Sequence, residues 1–439
     1  MLLTEKKVIK KDKDTKEIYD LIDTYCYKAK NLRNAVNYVI KQCYYIHSKL
    51  KQGEIIDSRE KAFIKDINNA IYSYNKNKEY KLSYIDSNNG FIADAYFLSY
   101  YMKTRKEYKE MPYSVCSQQI IQVVCKDWKS YYKSIKDYNK NKNKYLGKPR
   151  IPKYYDKNKG RDWIILTNQN FKLLEGNILK LPSFLAGLEL KPKHKDIRQL
   201  RIKTTQNGIV INYIYQVPDV VKKENNNYMG IDIGINNLMT VVSNTKMNPF
   251  IINGRTLKSI NQYYNKRKSE LQTKASKSNL RVTKRIERLT NIRNNKVSDY
   301  LHKASREVIN KAIEYNISKI VIGNNKGWKQ EVNMGKVTNQ NFVSIPFNVL
   351  IQYLIYKAEL VGIEVIVTEE SYTSGTSYID NEMPIKEFYN KKRRIQRGLF
   401  KSNNGIEINA DVNGAYQILK KRYSLEYKGV ERIERIKVA

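Results

Sequence analysis

The chain has 439 residues, enough for two or three domains, and its 81 Lys and Arg against 43 Asp and Glu give a formal net charge of +38. A positive surplus of this size repels itself unless a polyanion neutralises it, so nucleic acid is the expected partner. The sequence shows no apolar run near the roughly 20 residues needed to cross a bilayer and no apolar signal segment, which predicts a cytoplasmic protein without a membrane partner.

Two stretches in the N-terminal part place apolar side chains at helical spacing. The first covers residues 15–48 and the second about 114–137. In the second stretch Trp128, Tyr131 and Tyr132 lie among lysines, and these rings either form a core or stack on bases. The pattern predicts two long helices with basic outer faces.

The segment 139–161 contains Gly and Pro breakers among many cations, and we interpret it as a solvated connector at a domain boundary. Its Lys148, Arg150 and Lys153 are candidate phosphate contacts. Alternating apolar residues follow at 199–204 and 209–217, which predicts a β-hairpin that turns at Asn207-Gly208.

From residue 228 onward, apolar strands alternate with helical stretches, as in an α/β domain. The expected elements are two strands near 228–243, a helical region at 256–316, a strand ending in IVIG, a helix at 346–361, a strand at 363–370 and a helix from about 411.

Four carboxylates stand at the ends of these elements. Asp232 ends a strand in MGIDIGINNL, between Gly230 and Gly234, which permit close backbone approach. Asp411 stands at or next to a helix start, where capping is the alternative role. Glu369 and Glu370 end the segment IEVIVTEE, and their side chains point to opposite faces if the strand continues through them, so only one of them can face a shared site.

Three converging carboxylates would hold two divalent ions about 4 Å apart, an arrangement that hydrolyses phosphodiesters. Oxygen ligands favour Mg²⁺ or Mn²⁺. The four cysteines and three histidines offer no zinc spacing, so no zinc is expected.

At these residues the sequence resembles the TnpB family, the transposon-associated OrfB nucleases related to type V CRISPR effectors. The resemblance rests on several ordered segments: MGIDIGINNL, VIGNNKGWKQ with NFVSIPF, YTS at 372–374, RRIQRGLF and NADVNGAYQIL. The resemblance implies an α+β multidomain fold, in which a helical recognition lobe is inserted in an OB-like β-barrel, the wedge, and an RNase H-like α/β RuvC nuclease domain follows. The expected bounds are 1–14 for the first wedge strand, 15–145 for the helical lobe, 146–227 for the wedge barrel and 228–439 for the nuclease domain, with a nucleic-acid-binding insert at 371–406.

The resemblance implies an RNA-guided DNA endonuclease of an insertion-sequence-type transposon, with a guide RNA and double-stranded DNA as partners. Asp232, Glu370 and Asp411 are then the catalytic and metal-binding residues, with Glu369 as the second choice beside Glu370. Further nucleic-acid contacts are expected at Trp328, Lys329, Arg393, Arg394 and Arg397. Alternatives are a nuclease-dead RNA-guided DNA-binding repressor and a CRISPR-associated type V effector.

The sequence departs from the family pattern in two places. Most members carry a glutamate directly after the strand that here reads IVIG, where this chain has Gly323-Asn324. We expect Glu370, one strand later, to supply the missing carboxylate. Members also carry a zinc-binding insert with two Cys-x-x-Cys pairs, whereas Ser377 and Asp380 stand where the first pair would be. The insert is therefore expected to hold together without zinc.

Overall fold

In the computed structural model of the protein, the chain divides into two compact units, Met1–Pro218 and Asp219–Ala439. The structure describes residues 1–439 except 77, 91, 326–343, 397, 428, 430, 431, 437 and 439. Each unit combines helices and strands around apolar cores of its own, so the fold is a mixed α+β fold. The division of the first unit into a helical lobe and a wedge stays a prediction.

The described helices of the first unit are α1 (Lys16–Lys51), α2 (Ser58–Asn75), α3 (Ala95–Met102), α4 (Lys106–Lys109) and α5 (Ser114–Lys140). The described strands of this unit are β1 (Leu2–Lys10), β2 (Ile164–Thr167), β3 (Lys172–Leu174), β4 (Ile178–Lys180), β5 (Ile197–Thr205) and β6 (Gly208–Gln216). Strands β1, β6, β5 and β2 form an antiparallel sheet in that order, and β3 pairs with β4.

Both predicted long helices are confirmed as α1 and α5. Trp128 of α5 is fully buried, and its Nε1 donates a hydrogen bond of 2.8 Å to Oδ1 of Asn37 in α1. Tyr131 packs edge-on against this ring, with the ring centroids 5.7 Å apart. Burial assigns Trp128 and Tyr131 to the core, because a ring enclosed in the core is not available to stack on a base, whereas Tyr132 is only partly buried.

The predicted hairpin is confirmed between β5 and β6, where Thr205 pairs with Gly208. Gly208 has a φ of +134°, and a Cβ at this position would lie 1.9 Å from the backbone oxygen of Ile9 in β1. Only glycine fits this turn, because the neighbouring strand passes too close for a side chain.

The segment 139–161 is mostly exposed, as expected of a solvated connector, but hydrogen bonds fix its second half to α1. The side chain of Asn34 in α1 bonds both the backbone N and O of Tyr155, at 2.9 and 3.0 Å, and Lys30 Nζ donates to the backbone oxygen of Lys157 at 2.6 Å. These bonds satisfy backbone groups that a free segment would leave to water. The segment is therefore fixed along α1.

The described helices of the second unit are α6 (Arg255–Ser276), α7 (Lys284–Glu314), α8 (Phe347–Glu359) and α9 (Ala410–Lys420). Its described strands are β7 (Tyr228–Ile233), β8 (Asn237–Ser243), β9 (Phe250–Asn253), β10 (Lys319–Gly323), β11 (Glu364–Thr368), β12 (Leu399–Lys401), β13 (Glu407–Asn409) and β14 (Glu434–Ile436). Six strands form a mixed sheet in the order β11-β10-β7-β8-β9-β14, and β12 pairs with β13. The α/β pattern predicted from residue 228 onward is confirmed.

Helices cover both faces of the six-stranded sheet. Ile231 and Ile322 pack with residues of α7 and α8 on one face, whereas Val242 and Val321 pack with α9 on the other. Gly230 serves this second contact, because a Cβ there would lie 2.7 Å from the backbone oxygen of Ala415 in α9. The close approach expected at this glycine is thus made by a helix.

The parallel strands β7, β10 and β11 end at one edge of the sheet, with β10 between the other two. Residues at their carboxyl ends are therefore neighbours. Within the described residues, none of the helices combines the length and the apolar character that crossing a membrane requires.

Candidate active site

Asp232 lies near the carboxyl end of β7, opposite Thr240 of β8. Burial raises the pKa of this carboxyl group well above its usual value, and repulsion from Glu370 and Asp411 raises it further. The Arg394 guanidinium and the backbone of Ile233 lower the pKa of Asp232, but they offset only part of this rise. The three carboxyl groups expected to form a site thus share one electrostatic environment.

Glu370 follows strand β11, and its backbone N donates to Oδ1 of Asn325 at 2.9 Å. Burial raises the pKa of its carboxyl group to about 7, against a smaller opposing effect of Lys421. Its Oε1 atom is buried and has no hydrogen-bond partner among the described residues. A buried oxygen without a donor is costly, and a bound cation would relieve that cost.

The side chain of Glu370 also fills the space above Gly323 at the end of β10. A Cβ built on Gly323 would lie 2.6 Å from Oε1 of Glu370 and 2.5 Å from Cδ1 of Ile418. Position 323 is where the sequence departs from the family pattern, and the carboxyl group of Glu370 lies where a side chain from that position would begin.

Glu369 is separated from this cluster. Its carboxylate pairs with Lys421 Nζ and accepts from the Ser371 hydroxyl, and 62% of the side chain is exposed. These hydrogen bonds, that from Lys421 foremost, lower the pKa of Glu369. The two neighbouring glutamates therefore have opposite environments.

Asp411 stands in the first turn of α9, and Asn409 is the N-cap. The Asn409 side chain accepts from the backbone N of Asp411 and of Val412, at 3.0 and 3.2 Å. The alternative in which Asp411 caps the helix is therefore wrong. Its carboxylate accepts instead from Nδ2 of Asn237 at 2.7 Å and from Nη2 of Arg394 at 3.2 Å.

Asn237 was not identified from the sequence, although it lies within the segment MGIDIGINNL. Its partner is 174 residues away, so no local spacing indicates the contact. The position of Asn237 at the start of β8, next to the strand that carries Asp232, was the available signal.

The described residues contain no group of three or more His, Cys, Asp or Glu side chains arranged to hold one metal ion. This finding is compatible with the electrostatic repulsion among Asp232, Glu370 and Asp411. Charges repel one another over several ångströms, whereas Mg²⁺ binds oxygen at about 2.1 Å. The donors nevertheless suit a hard cation: they are carboxylates, they repel one another, and Glu370 carries an unpaired buried oxygen. The residues fit such an ion in chemistry but would have to close around it.

A cleft of about 910 Å³ opens beside Asp411. Arg255 at the start of α6, Arg394 and Arg435 of β14 all line it. Sequence reasoning missed Arg255 and Arg435, because these residues are separated by 180 positions in the chain and meet only through the sheet. Three guanidinium groups beside a carboxylate are suited to phosphate oxygens.

The other predicted nucleic-acid contacts fall into three groups. Lys148, Arg150 and Lys153 are exposed and make no ion pair within the described part of the chain. Arg393 is not free for phosphate, because it pairs with Glu382 and only 14% of its side chain is exposed. Trp328, Lys329 and Arg397 lie outside the described residues.

Comparisons with known proteins give matches in two segments. Residues 212–329 match the family OrfB_IS605, described as a probable transposase, and residues 347–418 match the Cas12f1-like TNB domain. The TnpB-like protein MJ0751 of Methanocaldococcus jannaschii is 28% identical over 124 residues, which cover 27% of this chain and 42% of that protein.

Solved structures similar to the chain include two RNA-guided systems. The Cas12f1-sgRNA-target DNA complex matches with 14% identity and a TM-score of 0.35, over 95% of this chain and 98% of that chain. The mini-RNA-guided endonuclease CRISPR-Cas_phi3 matches with 10% identity and a TM-score of 0.44, over 97% of this chain and 94% of that chain. The sequence matches confirm the resemblance drawn from the motifs: two segments of the chain are similar to OrfB_IS605 and Cas12f1-like TNB sequences, and part of the chain is similar to a TnpB-like protein.

Proposed function

We propose that the protein is an RNA-guided DNA endonuclease of an insertion-sequence-type transposon. In this proposal Asp232, Glu370 and Asp411 bind two Mg²⁺ or Mn²⁺ ions, and the chain hydrolyses a DNA phosphodiester. The observation that carries the proposal is the placement of the Glu370 carboxyl group above Gly323, where it raises the pKa of Asp232 together with Asp411.

The proposed architecture follows the family pattern. Strand β1 pairs with β6, and the helices α1 to α5 lie between β1 and β2 in the chain, which supports a helical lobe (15–145) inserted in a wedge (1–14 and 146–227). The mixed sheet with helices on both faces supports an RNase H-like nuclease domain over 228–439. Whether the wedge closes into an OB-like barrel stays a prediction.

Each residue of the site has a defined part in the proposed reaction. Bound divalent ions would supply Lewis acidity and an activated water. Asn237 and Arg394 orient the Asp411 carboxylate, because they bond its two oxygens separately. Arg255 and Arg435 line the cleft beside it and would attract the phosphates of a strand. Burial of Asp232 and Glu370 opposes their joint ionisation, so a cation that binds there would displace protons and compensate the charge of the two carboxylates.

The proposed partners are a guide RNA from the transposon end and a double-stranded DNA target. The net charge of +38 supports them, since a long RNA and a heteroduplex would neutralise this surplus. The named similar structures are of RNA-guided proteins, one in complex with guide RNA and target DNA.

A copurification experiment tests the proposal. The protein is isolated from cells that also hold its flanking DNA, the bound RNA is sequenced, and a matched target is incubated with and without Mg²⁺. Glu370→Gln should abolish cleavage while RNA binding persists, and Glu369→Gln should still cleave. Cleavage by both variants at the wild-type rate would refute the assignment of Glu370.

A nuclease-dead RNA-guided DNA-binding repressor is the second candidate. It is favoured by the finding that the described residues hold no preformed group of metal ligands and that Arg394 already neutralises Asp411. Such a protein would bind the matched target and leave it uncut at all Mg²⁺ and Mn²⁺ concentrations. A CRISPR-associated effector would share the site, and its gene neighbourhood distinguishes it.

A further inference from the structure

The segment between β11 and α9 contains a largely shielded ion pair, distinct from the carboxylates of the candidate site. Arg393 donates two hydrogen bonds to the carboxylate of Glu382, from Nη1 at 2.5 Å and from Nη2 at 2.8 Å. The two side chains are 14% and 9% exposed. The pKa of Arg393 is raised, and the hydrogen bonds with Glu382 are the main cause. A bidentate pair of this kind is strong when it is shielded from water.

Further hydrogen bonds extend this pair into a cluster that we call the polar cluster: Ser377, Asp380, Glu382, Arg393 and Asn403. Arg393 Nη2 also donates to Oδ1 of Asn403 at 2.8 Å, and the backbone N of Asn403 donates to Oδ2 of Asp380 at 2.8 Å. The backbone N of Ser377 donates to Glu382 at 2.8 Å. The polar cluster thus joins the loop at 377–382 to the turn between β12 and β13.

The same loop is attached to α9, which carries Asp411 in its first turn. Gln417 Nε2 donates to the backbone oxygen of Glu382 at 3.2 Å, and Asn413 bonds the backbone of Thr376 and Tyr378 at 2.8 and 2.9 Å. Asn413 and Gln417 are fully buried. Their contacts fix the loop against the helix, because a buried amide must keep its partners.

A structural zinc ion, which the family resemblance implies for this segment, does not fit these residues. Ser377 and Asp380 contribute a hydroxyl and a carboxylate where structural zinc sites use thiolates and imidazoles. The carboxylate of Glu382 is already compensated by the guanidinium of Arg393. Among the described residues, the cation that compensates Glu382 is therefore a side chain.

We propose that Arg393 is a positioning residue, whose ion pair with Glu382 takes the place of a structural metal ion and holds the segment 377–403 on α9. The segment then folds without zinc, and Arg393 does not contact phosphate. The consequence for Asp411 rests on the proposed function: the ion pair also places Arg394, the next residue, at the Asp411 carboxylate.

Thermal unfolding and limited proteolysis of the full chain test the structural part. The variants are Arg393→Ala, Arg393→Lys, Glu382→Ala and the double variant Glu382→Ala/Arg393→Ala, with Lys392→Ala as the control, since Lys392 is exposed in the same loop. Arg393→Ala should lower Tm by about 5 to 15 °C and expose the segment to protease, because it leaves a buried carboxylate unpaired. Arg393→Lys should be milder, because it keeps the charge and loses the two-pronged geometry.

Two results would overturn the structural part. One is an Arg393→Ala protein as stable and protease-resistant as Lys392→Ala. The other is unfolding of the wild-type segment by the zinc chelator 1,10-phenanthroline. In support, the double variant should lose less stability than the two single variants together, because its second substitution removes a charge that is already unpaired.

Mn²⁺ affinity, measured by electron paramagnetic resonance without any substrate, tests the positioning part. Folded Arg393→Lys should differ several-fold from Lys392→Ala in Mn²⁺ affinity, because Arg394 both orients and neutralises the Asp411 carboxylate. Equal affinities would refute positioning. A wild-type chain that binds no Mn²⁺ would overturn the proposed metal site. If the double variant still lost less stability than the two single variants together, the ion pair would remain supported as the structural cross-link.

Discussion

The Glu370 carboxyl group occupies the volume next to Gly323, with Oε1 2.6 Å from the point where a Cβ at position 323 would lie. Strands β10 and β11 pair in parallel, and Gly323 stands opposite Thr368, two residues before Glu370. A carboxylate from the end of β11 therefore reaches the space beside the end of β10. In the proposed site, a carboxylate from β11 would thus stand in for the glutamate that is absent after IVIG.

An exchange of the two positions tests this relationship. Glu370→Ala alone should remove Mg²⁺-dependent cleavage, because it deletes a proposed ligand. The double variant Gly323→Glu/Glu370→Ala should regain a measurable part of the cleavage, since it removes the Glu370 side chain from the space beside position 323 and leaves only the terminal methyl group of Ile418 to shift. Gly323→Glu alone should be poorly folded, because the glutamate at 370 still fills that space. A double variant that folds, binds RNA and cuts no faster than Glu370→Ala would contradict the exchange.

Neutralising Glu370 should stabilise the metal-free protein. Its pKa is about 7 in the folded chain against 4.5 for a free glutamate, so the folded state binds the proton more tightly and stability falls as pH rises from 4.5 to 7. At pH 8 and without divalent ions, Glu370→Gln should exceed the wild type by about 1 to 3 kcal/mol in denaturant unfolding. The gain should vanish near pH 4, where the wild-type carboxyl group is protonated.

Two controls accompany the Glu370→Gln measurement. Glu369→Gln should give no gain in stability, because Glu369 is exposed and paired with Lys421. Mg²⁺ should raise the Tm of the wild type and not that of Glu370→Gln, because only a protein that binds the ion gains stability from it. A metal-free Glu370→Gln protein that is less stable than the wild type at pH 8 would contradict the prediction.

Lys357 should give the second unit a stability that rises with pH. Burial, aided by the nearby Arg306, lowers the pKa of its ammonium group to about 8 from 10.5. The unfolded chain therefore binds more protons between pH 8 and 10.5, and stability rises across this interval. The unfolding free energy of the wild type minus that of Lys357→Met should increase by on the order of 2 kcal/mol from pH 7.5 to 10.5. A pH-independent difference would show that the ammonium group stays charged throughout.

Lys148, Arg150 and Lys153, the exposed cations of the segment 139–161, should contribute to RNA binding through charge alone. Replacement of Lys148, Arg150 and Lys153 by Ala should weaken RNA binding and reduce the slope of log K against log salt by about 2 to 3, because each lost phosphate contact removes roughly 0.7 to 0.9. Tm should stay within about 1 °C, since these side chains are exposed and unpaired within the described residues.

A triple variant at Lys61, Lys172 and Lys180 removes the same charge from other exposed positions of the first unit. Its salt slope should change less than that of the variant at 148, 150 and 153. Equal slopes would indicate that the RNA contacts the unit without preference for this segment.

The sequence by itself determined the elements and the types of chemistry. Helical spacing predicted α1 and α5, the Asn207-Gly208 turn predicted the β5–β6 hairpin, and Asp232 and Asp411 stood in recognisable motifs. These predictions succeed because backbone periodicity, turn preferences and strand-end carboxylates are properties of a few consecutive residues.

Tertiary structure alone decided which side chains meet. Glu370, and not Glu369, is the neighbour that raises the pKa of Asp232. Arg393, expected to contact phosphate, pairs with Glu382 instead. Asn237 bonds Asp411, which lies 174 residues further along the chain. These outcomes depend on the packing of α9 against β7 and of the loop at 377–382 against α9. Contacts between distant segments leave no local pattern in the chain, because their energy arises only when packing brings the segments together.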